Sequence, residues 1–78
     1  MALVRDIEVE WAAKGKMQPT QVDAKVKVIS TSGPDPIVQI DTFGSSERKF
    51  EGKLSQTLQL DRRAAEELMG ILKRAYRL

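Results

Sequence analysis

The run from Asp61 to Arg77 constrains this chain most, because its spacing leaves one conformation open to it. Ala64, Ala65, Leu68, Met69, Ile71, Leu72, Ala75 and Tyr76 alternate with Arg62, Arg63, Glu66, Glu67, Lys73, Arg74 and Arg77. At 3.6 residues per turn the apolar set fills a single arc of roughly 160° that contains no polar residue. This predicts an amphipathic helix. Asp61 suits the N-cap, since a carboxylate there accepts from the free N–H groups of the first turn and meets the positive end of the helix dipole. Lys73, Arg74 and Arg77 match the negative end. A helix lying on one sheet needs an apolar stripe of only about 100°. The surplus either wraps the sheet edge or forms a second buried contact, most simply with the same helix of another copy.

Everything before the helix reads as sheet. Lys53 to Leu60 alternates, with Leu54, Leu58 and Leu60 facing inward and Ser55, Thr57 and Gln59 outward. Ile37 to Phe43 places Val38 and Ile40 toward the core, with Gln39, Asp41 and Phe43 on the opposite face. Val22 to Ile29 turns Val22, Ala24, Val26 and Val28 inward and Asp23, Lys25 and Lys27 outward. Arg5, Ile7, Val9 and Trp11 alternate with Asp6, Glu8 and Glu10, which predicts a half-buried first strand that pairs with the second and whose Trp11 caps the core. Ser30 to Pro36 is the strongest turn signal. Lys14-Gly15-Lys16 and Pro19 mark an exposed turn, and the loop from Gly44 to Gly52 offers little to bury and is expected to be mobile. Short connections make each strand neighbour the last. The expected fold is α+β: a single ββββα domain over residues 1–78, a four-stranded antiparallel meander followed by one C-terminal amphipathic helix that mediates a dimer.

Size supports the dimer. A domain of 78 residues buries only about 60% of its unfolded surface, and without cysteine it has no disulfide to add stability. Leu68, Met69, Leu72 and Tyr76 span the apolar arc and are the expected interface. The chain also lacks histidine, which removes the usual proton shuttle and, with cysteine, the usual zinc ligands, so neither an enzyme, a metal site nor a cofactor is expected. Asp6, Glu8 and Glu10 read as a solvated strand face. No run has the length of a membrane span, and Met1 to Arg5 lacks the build of a signal peptide, so the expected location is the cytoplasm with no membrane partner.

The net charge of +2 is unevenly placed. Lys14 and Lys16 on one turn, Arg48, Lys49 and Lys53 on another, and Lys25 and Lys27 on the outer sheet face can surround Phe43 or Phe50. Basic groups neutralise phosphates while an aromatic face stacks a base, which is the chemistry of a sequence-tolerant single-strand binder. The alternative is that these lysines solubilise the surface and protect sheet edges.

Ile37-Val38-Gln39-Ile40-Asp41, a polar loop, Gly52-Lys53-Leu54-Ser55-Gln56-Thr57-Leu58-Gln59-Leu60-Asp61 and a helix together resemble the core of the positive cofactor four family of transcriptional coactivators, over roughly residues 37 to 72. Asp41 to Ser45 with Gly52 to Gln56 also resembles a group of small bacterial proteins of unassigned function. The coactivator resemblance implies a meander that dimerises through its helices and binds single-stranded DNA over sheets and basic loops. Lys53 matches that family's basic position before the last strand, and Arg48 and Lys49 its basic loop loosely. The expected function is therefore a small dimeric module for single-stranded DNA or RNA, contacting phosphates through Lys14, Lys16, Arg48, Lys49 and Lys53 and stacking a base on Phe43. The alternative is a protein-interaction or inhibitor module without catalytic activity.

Overall fold

The computed structural model describes residues 1–44 and 54–78. Four strands, β1 (Ala2–Val4), β2 (Asp23–Ile29), β3 (Ile37–Phe43) and β4 (Leu54–Leu60), precede one helix, α1 (Arg62–Tyr76). The expected ββββα order holds, but the sheet is mixed and its order is β1-β4-β3-β2. β2, β3 and β4 form the antiparallel meander that their alternation and the Ser30–Pro36 turn predict. Within that turn Thr31 Oγ1 donates to the Asp35 carbonyl at 2.7 Å and accepts from the Gly33 N–H at 3.1 Å.

The first strand corrects the expectation. It covers Ala2–Val4 rather than Arg5–Trp11, and it pairs in parallel with β4 rather than with β2, placing Ala2 beside Leu58 and Val4 beside Leu60. A three-strand meander leaves the far edge of β4 open, and the N-terminal residues fill it. The Asp61 N–H extends this ladder by donating to the Val4 carbonyl at 3.3 Å. The chain then follows the helix instead of the sheet. Arg5 approaches Asp61 at 4.0 Å, Asp6 pairs with Arg63 at 3.3 Å, and the Ile7 N–H donates to Glu67 Oε1 at 3.2 Å. Polar groups of α1 thus take the backbone and side chains that a strand partner would have taken. Trp11 does not cap the core: it is 63% exposed.

α1 begins as predicted. The Asp61 side chain accepts from the Ala64 N–H at 2.9 Å, satisfying one of the orphan donors of the first turn. At the other end Arg77 adopts a left-handed conformation, φ 55°, and the N–H groups of Arg77 and Leu78 both reach the Lys73 carbonyl. The core lies where the helix starts, with Leu60 of β4 and Ala64 of α1 both buried. Beyond that point α1 does not cover the apolar sheet face. The radius of gyration is 14.5 Å, against about 11.5 Å for a compact domain of this length.

Candidate binding faces

Because side chains alternate along each strand and directly paired residues share a face, the register sorts the sheet into two surfaces. Asp23, Lys25 and Lys27 of β2, Gln39, Asp41 and Phe43 of β3, and Thr57 and Gln59 of β4 occupy one of them. This face is polar and closely bonded. Gln59 Nε2 donates to Gln39 Oε1 at 2.8 Å, Gln39 Nε2 donates to Asp41 Oδ1 at 3.1 Å, and Thr57 Oγ1 donates to the same oxygen at 2.8 Å. Lys27 Nζ lies 3.4 Å from Asp41 Oδ2.

The result is an aspartate only 3% exposed on a face expected to be solvated. The Thr57 hydroxyl, with Gln39 and Lys27 adding to it, holds the Asp41 carboxyl below its ordinary value while burial pulls the other way. The sequence carried a signal for this position: aspartate is depleted in strand interiors, so one in the middle of β3 implies nearby donors. Which strand supplies them depends on a register that the sequence does not state.

The residues expected to bind nucleic acid are only partly gathered. Phe43 sits half-buried at the end of β3, opposite Asp23 and on the same face as Lys25 and Lys27. Lys14 and Lys16 are exposed on the irregular segment between β1 and β2. Arg48, Lys49, Phe50 and Lys53 lie outside the described residues, as does all of the loop expected to be mobile, Gly44 to Gly52, beyond Gly44 itself. Sequence reasoning put Lys25 and Lys27 on the outer face without making them contacts, and they are the basic groups that share a surface with Phe43.

The second surface is apolar. Val26 and Val28 of β2, Val38 and Ile40 of β3, and Leu58 and Leu60 of β4 line it in register. Leu60 is 5% exposed beneath the helix start, but Val26 is 59%, Val28 70% and Leu58 41% exposed. These residues share one face, as their alternation predicts, but Val26, Val28 and Leu58 do not face inward as expected, because α1 does not reach far enough to cover them. The helix arc is equally open, for Met69 is 58%, Leu72 40% and Tyr76 71% exposed, while Leu68 is half-buried. Between the two runs an open cleft of about 260 Å³, lined by Pro36, Val38, Leu60 and Ala65, with Arg62 Nη1 paired to Asp35 Oδ1 at 3.0 Å on its rim.

No group of His, Cys, Asp or Glu able to hold a metal ion occurs among the described residues, and no helix among them is long and apolar enough to cross a membrane. No protein-family model, curated protein or solved structure matches the chain.

Proposed function

We propose that this chain is a non-catalytic binding module that works as a homodimer, its apolar sheet face and helix arc closing over those of a second copy. One observation carries this reading. The chain leaves 6899 Å² accessible, whereas a compact monomer of 8.7 kDa leaves about 4,700 Å². The excess surpasses the roughly 800 Å² that each partner contributes to a standard stable interface. Thirteen large hydrophobic residues are exposed among the described residues, far beyond the scattered few of a typical monomer surface. Light scattering at tens of micromolar tests it: the expected mass is twice 8.7 kDa, and a stable monomer overturns it. Met69→Asp, at a position already exposed in the protomer, shifts the equilibrium toward monomer.

Single-stranded nucleic acid is the ligand reading that a specific observation favours, because Phe43, Lys25 and Lys27 share one sheet face. The resemblance to the coactivator family points the same way. A gel shift with single-stranded DNA, duplex DNA and RNA of one sequence tests this reading. Binding to the single strands is expected to weaken with salt, with a log–log slope near −0.7 for each phosphate neutralised. Phe43→Ala is expected to cost about 1 to 3 kcal/mol of affinity with little change in slope, since stacking releases few counterions. If neither single strand binds at low salt, the protein-interaction reading becomes the better one.

A further inference from the structure

The segment Glu8–Trp11 alternates as a strand does, yet it pairs with no strand: residues 5 to 22 contain none. At the opposite side of the sheet β2 is the edge strand, with no further strand beyond it among the described residues. The two are complementary. Val9 and Trp11 are 39% and 63% exposed, and Val26 beside β2's outer edge is 59% exposed. Glu8 and Glu10 form an acidic row, and on the polar face of β2 Lys25 and Lys27 follow Asp23, with Lys27 Nζ also 3.4 Å from Asp41 Oδ2. Antiparallel pairing of Val9 with Val26 satisfies both patterns together. It sets Trp11 against the small Ala24 on the apolar face, and Glu8 and Glu10 against Lys27 and Lys25 on the polar face.

The chain cannot make this pairing with itself. β1 lies on β4, and Asp6 and Ile7 are bonded to Arg63 and Glu67 of α1. A strand added beyond β2 stands four strand spacings from β1, about 19 Å. The four residues from Val4 to Glu8 span at most about 14 Å. Nor does β2 suit a second β2. Antiparallel pairing centred on Val26 would set Lys25 against Lys27 in both directions, and like charges directly opposite destabilise. The acidic arm answers the basic edge that β2 itself cannot.

We infer that Glu8–Trp11 of one copy adds as a strand to the outer edge of β2 in a second copy, with the reciprocal exchange closing a twofold dimer. This rests on the homodimer proposed above and specifies how its copies interlock. The exchange extends each sheet by one strand, protects the basic edge and brings Trp11 over apolar surface that the protomer leaves open.

The chain lacks cysteine, so engineered disulfides report only the positions chosen. Val9→Cys and Val26→Cys are made in separate chains, at exposed sites that tolerate the change. The two proteins are mixed, exchanged and oxidised, and light scattering follows their assembly. A covalent dimer holding one chain of each kind is expected from the mixture and from neither protein alone. Noncovalent dimers without that mixed disulfide overturn the arm exchange and leave the homodimer standing, whereas monomers throughout overturn both. Charge reversal gives a second measurement. Glu10→Lys and Lys25→Glu are each expected to weaken dimerisation roughly fivefold over the two symmetric contacts, and the double variant is expected to recover part of the loss, since Lys25 also lies opposite Asp41 in its own sheet. A double variant at least as weak as the product of the single effects overturns the pairing.

Discussion

Asp41 lies in a sheet whose polar side carries no second layer of secondary structure among the described residues, so its burial comes from the side chains beside it. Thr57, Gln39 and Lys27 all favour the charged form, and a carboxylate held below its unfolded value of 3.8 contributes stability that is present above that pH and lost as pH falls through the folded value. Thermal melts are therefore expected to hold their midpoint from neutrality down to about pH 4 and to fall below it. Asp41→Asn is expected to lower the midpoint at neutral pH, because Lys27 loses its counter-charge, and to reduce the acid-side loss. An unchanged acid-side slope in that variant would assign the loss to other carboxylates. The face of Asp41 was legible from alternation alone. Its burial was not, because that depends on donors sixteen residues away on β4 and across β2, which only the register brings together.

At the scale of elements, α1 was the most legible part of the chain, since its start, its cap and its apolar arc are all local properties. Replacing Asp61 with Ala removes the acceptor of the Ala64 N–H and is expected to cost about 1 kcal/mol. Gly70 lies on the helix's polar side with open space where a Cβ would be, so Gly70→Ala is expected to gain roughly 0.5 to 1 kcal/mol from reduced backbone entropy in the unfolded chain. Chemical denaturation of both variants reads these differences. The three-strand meander was legible for similar reasons. The first strand was not. Ile7, Val9 and Trp11 alternate as a paired strand does, but a period states that a segment suits a sheet and does not name the edge it joins. The free side of β4 took Ala2–Val4, and Arg63 and Glu67 drew Asp6 and Ile7 onto the helix.

For the whole molecule, the sequence indicated an oversized apolar arc but not the equally open sheet face, because the span α1 covers depends on how it leaves β4. The packed core is small: Leu60 and Ala64 are the apolar side chains buried among the described residues. A domain with so little inside cannot place its stability in the isolated protomer, so folding and association are expected to form one transition. Two folded chains then unfold to two free ones, and the equilibrium carries concentration to the first power. Each tenfold dilution is expected to lower apparent stability by about 1.4 kcal/mol. For a domain of 60 to 100 residues 1 kcal/mol is worth roughly 4 to 8 °C, and a dimeric transition, whose entropy is shared over two chains, moves by about half that per kcal/mol. Melts across a hundredfold range of concentration thus separate by several degrees. Met69→Asp is expected to shift the whole series downward while keeping its dependence on concentration, since it weakens association without supplying a core to the monomer. A midpoint independent of concentration, in a protein that light scattering shows to be monomeric, would place the stability within one chain and remove the homodimer together with the arm exchange built on it.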